Sequence, residues 1–281
     1  MTLSRSIRRE TGGRADVAVG PTGGIAGGAA MREALRSGKR DDAQNVNPPT
    51  IRGNRKARGP RIIPTMTTHY TTAVFDFDGT LADSFASAVA IFRRIGPGLG
   101  LKPIGDPELA RAMPTRQFLK QIGATFWKLG RVVRAYQAAA AEGAHELKLF
   151  PDWPETLRAL RARGVRLGIL SSNREDAIRT CLRANGVEDL FAFVVGYPKL
   201  FGKAKALRRI LKAEGIGRDA LLYVGDETRD IEAAHKAKVA VAAVGWGFQA
   251  PSVLRDTEPT HFVETPGELL ALLKGESGPQ G

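Results

Sequence analysis

The 281-residue chain has room for one large domain or two small ones, and its 43% hydrophobic and 25% charged residues are typical of a soluble globular protein. This composition excludes disorder over the whole length, and no stretch approaches the ~20 apolar residues that a transmembrane helix needs. The single cysteine, Cys181, excludes a disulfide framework and a cysteine-based zinc site, and it favours a reducing compartment, so we expect a cytoplasmic location.

The net charge of +13 is concentrated near the start of the chain. Residues 1–65 are rich in Gly, Arg and Pro and lack aromatic residues and hydrophobic periodicity, so we expect a disordered basic extension. Nucleic-acid binding by this tail is a secondary hypothesis, because no aromatic residue interrupts its basic cluster. Met66 directly precedes the first folded pattern, and we expect translation from Met66 to give a fully active protein.

From Thr72 onward, short apolar runs alternate with helical patterns. This alternation predicts a doubly wound (Rossmann-like) parallel α/β sheet, in which ligands bind at the carboxyl ends of the strands. The predicted core comprises residues 66–81 and 153–275, followed by a flexible tail at 276–281. The predicted strands are 72–76, 166–170, 191–195, 221–224 and 239–244, and the helices between them are 155–162, 175–184, 204–213 and 229–237.

The alternation is broken once, between the first two strands. Residues 82–152 have almost wholly helical patterns and no credible strand. We therefore predict an all-helical subdomain inserted into the first crossover of the sheet.

Two acidic motifs follow predicted strands. Asp76 and Asp78 are two residues apart, so on an extended chain their carboxylates point the same way, and Gly79 then allows a sharp turn. Asp226 directly follows another strand, and Asp230 lies one helical turn later, where it could also complement a helix N-terminus. Asp76 and Asp226 together would supply the oxygen ligands that Mg²⁺ prefers.

A further strand end and the entrance of a helix carry neutral and basic candidates. Ser171 ends the second strand and can donate to a phosphoryl oxygen, with the amides that follow it pointing at the same anion. The alternative explanation for this motif is that Ser172 or Asn173 caps the helix that follows. A lysine is needed to neutralise phosphoryl oxygens, and Lys203 at the entrance of a helix is preferred over Lys199.

These motifs, in this order, resemble those of the haloacid dehalogenase (HAD) superfamily of phosphohydrolases. Asp76 to Thr80 matches its first motif, Ser171 its second, Lys203 its third, and the G-D-x-x-x-D pattern ending at Asp230 its fourth. The resemblance covers roughly residues 70–265. The inserted helices resemble the cap of the subgroup that contains phosphoglycolate phosphatases and β-phosphoglucomutases.

The resemblance implies roles for individual residues. Asp76 would attack phosphorus and form an aspartyl-phosphate, and Asp78 would act as general acid and base. The implied Mg²⁺ ligands are Asp76, Asp226, Asp230 and the backbone carbonyl of Asp78. Ser171 and Lys203 would hold the transferring group. Further phosphate-binding candidates are Thr80, Ser172 and Asn173.

The expected activity is therefore Mg²⁺-dependent hydrolysis of a small phosphorylated metabolite, such as a phosphoglycolate-like, sugar or nucleotide phosphate, by a monomer or homodimer. An acid at Asp78 favours a phosphate monoester, since an alkoxide must be protonated as it leaves. The alternatives are a phosphomutase and a non-catalytic phosphate-binding regulatory protein. Arg116 and Lys120 are cap candidates for a substrate carboxylate or second phosphate, although a solvated helix face is the favoured explanation for them.

Overall fold

The computed structural model describes residues 70–197 and 199–273. The predicted basic extension at 1–65, the start at Met66 and the tail at 276–281 lie outside the described residues. The described part contains six strands, namely β1 (Thr72–Phe75), β2 (Arg166–Ser171), β3 (Phe193–Gly196), β4 (Leu221–Gly225), β5 (Ala240–Val244) and β6 (His261–Val263).

All six strands are parallel and form one sheet in the order β3-β2-β1-β4-β5-β6. The chain leaves β1 toward β2 on one side and later returns to β4 on the other. Connections therefore diverge at β1 and open a crevice at its carboxyl end, which is where ligands bind in sheets of this type.

Helices cover both faces of the sheet and also form the inserted region. The described helices of four or more residues are α1 (Phe85–Ile95), α2 (Pro107–Arg111), α3 (Thr115–Gln121), α4 (Phe126–Glu142), α5 (Trp153–Ala162), α6 (Glu175–Ala184), α7 (Lys203–Ala213), α8 (Thr228–Ala237), α9 (Pro251–Arg255) and α10 (Leu269–Leu272). None of the described helices has the length and apolar character needed to span a membrane.

Two hydrophobic clusters pack against opposite faces of the sheet. Because side chains alternate along a strand, Phe75 faces the cluster that contains Leu157 of α5, whereas Val74 faces the cluster that contains Leu207 of α7. Both strand residues are fully buried. A strand with two covered faces is a continuous apolar run, and this explains the pattern of β1.

The structure confirms the predicted parallel α/β sheet and the helical insertion, with α1 to α4 lying between β1 and β2. Two local predictions were wrong. The third strand begins at Phe193 rather than at residue 191, because a short 3₁₀ turn (Glu188–Leu190) precedes it and the amide of Phe191 donates to the carbonyl of Glu188. A sixth strand, β6, was not predicted.

Candidate active site

The carboxyl ends of β1 and β4 bring the two acidic motifs together. The strands are neighbours, with Phe75 in register with Val224, and the amide of Asp76 donates to the carbonyl of Val224 at 2.8 Å. Asp76 and Asp226 each follow these strands closely, and both are buried. Residues far apart in the chain thus meet at the switch point of the sheet.

Lys203 joins the first and fourth motifs through two buried ion pairs. Its Nζ lies 2.6 Å from Oδ2 of Asp76 and 2.7 Å from Oδ1 of Asp230. Burial alone would lower the pKa of Lys203, but the charges of Asp230 and Asp76 outweigh it and raise the pKa above its ordinary value. Lys203 therefore stays charged. Lys199, the alternative, is exposed.

Asp230 makes two kinds of contact at the start of α8. One carboxylate oxygen accepts from Lys203 and the other accepts from the amide of Glu227, which closes a capping box with the Glu227 side chain. The sequence pattern allowed either a functional or a helix-terminal position for this residue. In the structure, the same side chain caps the helix and lies in the acidic cluster.

Asp226 is fixed by neutral donors and has no cationic partner among the described residues. Its Oδ1 accepts from the hydroxyl of Thr80 at 2.8 Å, and its Oδ2 accepts from the amide of Phe248 at 2.7 Å. Burial, followed by the charges of Glu227 and Asp76, raises the pKa of Asp226 well above its ordinary value. A side chain held in this way without a counter-charge is suited to binding a cation.

The carboxylates of Asp76, Asp226 and Asp230 form a cluster that fits a metal ion. One oxygen from each lies within 4.8 Å of the others, and all three residues are buried. Hard carboxylate oxygens at this spacing suit Mg²⁺, which typically takes one or two carboxylates together with water and phosphate oxygens. The side chain of Asp78 is not part of this cluster.

Thr80 contacts the cluster through Asp226. Its hydroxyl is occupied by Asp226, and its carbonyl accepts from the indole N–H groups of Trp153 and Trp246. The hydroxyl of Thr80 thus positions Asp226, and its role in phosphate binding stays a prediction.

Gly79 shows how tightly the first and fourth motifs pack. Its φ is +74°, and a Cβ at this position would lie 2.2 Å from Oδ2 of Asp226 and 2.5 Å from the Phe248 ring. We expect Gly79→Ala to lower the free energy of unfolding by about 1–3 kcal/mol or more, because strain and a steric clash coincide. Urea unfolding of Gly98→Ala is the control. That Cβ would meet nothing within 4 Å, so a change within about 0.5 kcal/mol is expected. Equal stabilities for the two variants would contradict the packing described here.

Asp78 lies beside the cluster and contacts the second motif. Its Oδ2 accepts from the side-chain amide of Asn173 at 3.1 Å. Burial, followed by the charge of Asp76, raises the pKa of Asp78 to about 6. A carboxyl group with such a pKa exchanges protons readily near neutral pH, as a general acid and base must.

The second motif holds its own polar groups in place. The hydroxyl of Ser171, which is buried at the end of β2, accepts from the amide of Asn173, and the carbonyl of Ser172 accepts from the Gln137 side chain of α4. The structure thus brings Ser172 and Asn173 to the edge of the site, where the side-chain amide of Asn173 donates to Asp78.

Sequence reasoning missed Arg229 and Glu227. The guanidinium of Arg229 is buried, lies 3.9 Å from Oδ2 of Asp76, and pairs with the Glu227 carboxylate at 2.5 Å. It also donates to the carbonyl of Leu200, while its Nε has no hydrogen-bond partner within residues 70–197 and 199–273. Both residues lie inside the fourth motif, on either side of Thr228, and this position was the one indication in the sequence that they belong to the site. An arginine next to a helix start is usually exposed, however, and burial cannot be read from the sequence.

The charges around the site do not balance. Among the residues that the structure describes, five carboxyl groups, from Asp76, Asp78, Asp226, Glu227 and Asp230, face two cations, Lys203 and Arg229. Because buried charge without a partner is costly, this surplus of carboxylates favours a bound cation. The surplus is a second reason, besides the donor type, that the residues fit a divalent metal.

The inserted helices lie over the site and are tied to the core by hydrogen bonds. Thr115 of α3 donates to Glu227, and Gln137 of α4 donates to Ser172. Arg111 of α2 donates to the carbonyl of Gly247. The helices thus contact the second and fourth motifs directly, which restricts access to the buried carboxylates.

The two cap cations expected from the sequence lie elsewhere. Arg116 and Lys120 are exposed and border a separate hollow of about 420 Å³, where Arg116 stacks on the Phe201 ring at 4.2 Å. Neither residue lines the cavities next to Asp78. Their exposure agrees with the solvated helix face that was favoured for them, and a role in binding a substrate anion stays a prediction.

The fold and the site define a class of enzyme, and comparison with known proteins gives its family. The family model described as haloacid dehalogenase-like hydrolase matches residues 73–244. The chain is 37% identical over 199 residues to a phosphoglycolate phosphatase of Synechococcus elongatus, covering 70% of this chain and 94% of that protein. The chain belongs to the haloacid dehalogenase-like hydrolase family, as its motifs predicted.

Two further comparisons agree with this assignment. A 5'-nucleotidase of Pseudomonas aeruginosa is 30% identical, over 69% of this chain and 90% of that protein. The structure of a haloacid dehalogenase-like hydrolase from Streptococcus pneumoniae superimposes with a TM-score of 0.62 at 22% identity, covering 73% of this chain and 99% of that one. That structural likeness supports the fold, whereas the sequence relatives support an enzyme that hydrolyses phosphate esters.

Proposed function

We propose that the chain is a Mg²⁺-dependent phosphatase that hydrolyses a small phosphate monoester through a phosphorylated Asp76. The observation that carries this proposal is the buried cluster of Asp76, Asp226 and Asp230, with Lys203 bridging two of its members beneath the inserted helices. The phosphoglycolate phosphatase and the 5'-nucleotidase among the relatives support a phosphate ester as substrate.

Asp76, Asp226 and Asp230 are the side chains that would hold the metal. When bound, Mg²⁺ would neutralise charge between the carboxylates and the phosphate, so that one anion can approach the other. The protein prepares this site through Thr80 and the Phe248 amide, which fix both oxygens of Asp226. We assign Thr80 to this positioning role.

In the first step, a carboxylate oxygen of Asp76 forms a bond to phosphorus as the bond between phosphorus and the alcohol oxygen breaks. Asp78 transfers its proton to the leaving oxygen, and the free alcohol departs. In the second step, Asp78 takes a proton from water as the water oxygen bonds to phosphorus. The Asp76–phosphorus bond breaks, which releases inorganic phosphate and restores both carboxyl groups.

Two fixed cations stabilise the charge on the transferring group. Lys203 contacts the nucleophile directly, and Arg229 lies next to it with a partly unsatisfied guanidinium. Ser171 supplies a neutral donor from the neighbouring strand, while Ser172 and Asn173 shape the edge of the site. Preorganised charges of this kind cost no reorganisation during the reaction.

We further propose that residues 82–152 act as a cap that closes over the substrate, with the core formed by residues 66–81 and 153–275. Thr115 and Gln137 support this, because each links an inserted helix to a motif loop. A closed cap excludes water other than the attacking molecule.

The test is phosphate release by the full chain from a panel of phosphorylated metabolites, with Mg²⁺ and with EDTA. We expect Mg²⁺-dependent release that falls at least ~100-fold in EDTA and returns when Mg²⁺ is restored, because the carboxylate cluster then lacks its counter-charge. Equal release in EDTA would contradict the metal assignment. Phosphorus NMR on sugar phosphates separates the alternatives: a mutase would move phosphate between positions without releasing it.

A cytoplasmic location, action as a monomer or homodimer and the absence of nucleic-acid partners stay predictions from the sequence. The thiol of Cys181 is buried, and burial raises its pKa to about 12. A thiol of this kind is protonated and unreactive at neutral pH.

A further inference from the structure

A cavity of about 140 Å³ lies between the inserted helices and the second and fourth motifs. We call it the cap cavity. Its core side contains Asp78, the proposed general acid, together with Ser172, Asn173 and Arg229. Its cap side is mostly apolar and is formed by Phe92, Phe118, Leu119, Leu129, Val132 and Val133. Because the general acid must reach the leaving oxygen, the alcohol part of a bound ester would point into this cavity.

The polar residues on the cap side are uncharged. Thr115 and Gln137 are already bonded to Glu227 and to the Ser172 carbonyl. Tyr136 also lines the cavity. Burial raises the pKa of Tyr136 well above its ordinary value, so the phenol beside a bound substrate is neutral. No lysine or arginine of the described cap helices lines this cavity.

The cation on the core side does not change this conclusion. Arg229 is the one basic side chain among the described residues that line the cavity; it pairs with Glu227 at 2.5 Å and faces Asp76, where we assign it to the transferring phosphoryl group. A second carboxylate or phosphate on the substrate would therefore lose its hydration without gaining a free counter-ion, which makes its binding unfavourable.

The cavity also limits the size of the leaving group. An apolar cavity of about 150 Å³ accommodates a benzene-sized molecule, whereas larger ligands occupy pockets of roughly 300–1,000 Å³. A nucleoside exceeds the cap cavity. An open groove of about 770 Å³ also reaches Asp78 and Tyr136. Because charges of both signs line this groove, including those of Arg94 and Glu142, we assign it to substrate entry and the cap cavity to the leaving group.

We propose, on the basis of the proposed function, that the preferred substrate is the phosphate monoester of an uncharged, apolar alcohol no larger than a benzyl group. Phe92, Phe118 and Val132 enclose the apolar part, and the neutral phenol of Tyr136 lies beside it. The substrate class thus differs from phosphoglycolate, the substrate in the name of the Synechococcus relative, which carries a carboxylate.

Three alkyl esters with similar leaving oxygens test this proposal: benzyl phosphate, ethyl phosphate and 2-phosphoglycolate. With Mg²⁺, we expect kcat/KM for benzyl phosphate to exceed that for ethyl phosphate at least ~10-fold, because apolar contacts add to transition-state binding, and 2-phosphoglycolate to be the poorest. A kcat/KM for 2-phosphoglycolate equal to or above that for benzyl phosphate would overturn the inference while leaving the phosphatase intact. No release from any ester of the wider panel would overturn the proposed function itself.

Variants of α4 locate the effect in the cap cavity. Val133→Phe fills the cavity and is expected to lower the benzyl-to-ethyl ratio of kcat/KM at least ~10-fold, whereas Val133→Lys adds a cation and should raise the ratio of 2-phosphoglycolate to ethyl phosphate by a similar factor. Ala138→Phe and Ala138→Lys are the matched controls, because Ala138 is exposed on the same helix and does not line the cavity, so both ratios should stay as in the wild type. Unchanged ratios in both Val133 variants, with native circular dichroism, would place the leaving group elsewhere and contradict the proposal.

Discussion

Replacing Asp76 with Asn is expected to lower phosphatase kcat at least ~10⁴-fold. The amide keeps the shape of the side chain but cannot act as the nucleophile, and removing the nucleophile from a covalent mechanism has effects of this order. Phosphate release under saturating substrate and Mg²⁺ is the measurement. The folded state should survive, because the substitution removes one of several crowded carboxylates.

Asp219→Asn provides the matched control for this variant. Asp219 lies in an exposed turn before β4, at the end of that strand opposite to the site. The substitution there is also Asp to Asn. Its kcat should stay within about twofold of the wild type. If Asp76→Asn retained more than a tenth of wild-type activity while being as well folded, the nucleophile would have to be another residue.

Replacing Lys203 with Met is expected to affect stability as well as activity. In the metal-free protein, Asp76 and Asp230 would lose a buried partner that contacts both of them, at a cost of about 3–5 kcal/mol. Activity should fall too, since the transferring phosphate loses its nearest fixed cation. Urea unfolding in EDTA measures the first effect, and phosphate release measures the second.

Lys199→Met removes the same charge from an exposed position shortly before α7. Its free energy of unfolding should change by less than about 0.5 kcal/mol. If the two lysine variants had equal stability and equal activity, Lys203 would not hold the acidic motifs together and the electrostatic description of the site would be incorrect.

Much of the fold was predictable because its strands are buried on both faces. The run that forms β1 is mostly apolar and wholly buried, and its neighbours in the sheet have similar apolar centres, so their existence and order along the chain follow from pattern alone. The strand β6 has three residues, too few for any pattern to be distinguished from a loop. Phe191 shows a different failure, since it is apolar and buried but its backbone belongs to a turn.

The acidic part of the site was predictable from position. Asp76 and Asp226 follow strands, and parallel strands place their carboxyl ends at one edge of the sheet, so the chain order suffices to bring them together. The contacts of Arg229 were not predictable. Its burial depends on Glu227, Asp76 and the Leu200 carbonyl, which only the folded chain brings to one place.

The orientation of α3 explains why Arg116 and Lys120 are exposed. Phe118 and Leu119 face the cap cavity, so Arg116 and Lys120, which lie one helical turn apart, share the opposite side and meet solvent. The hydrophobic phase of this helix already contained the information. The solvated helix face was the favoured explanation for both residues, and their exposure agrees with it.

The phosphorylation of Asp76 is tested most directly by mass spectrometry of the protein quenched with acid during turnover with Mg²⁺ and a good substrate. We predict a peptide containing Asp76 that is about 80 Da heavier, the mass of one phosphoryl group, and its absence from Asp76→Asn. Phosphate release at full rate with no modification of this peptide, or with the added mass on a different residue, would contradict a covalent mechanism centred on Asp76.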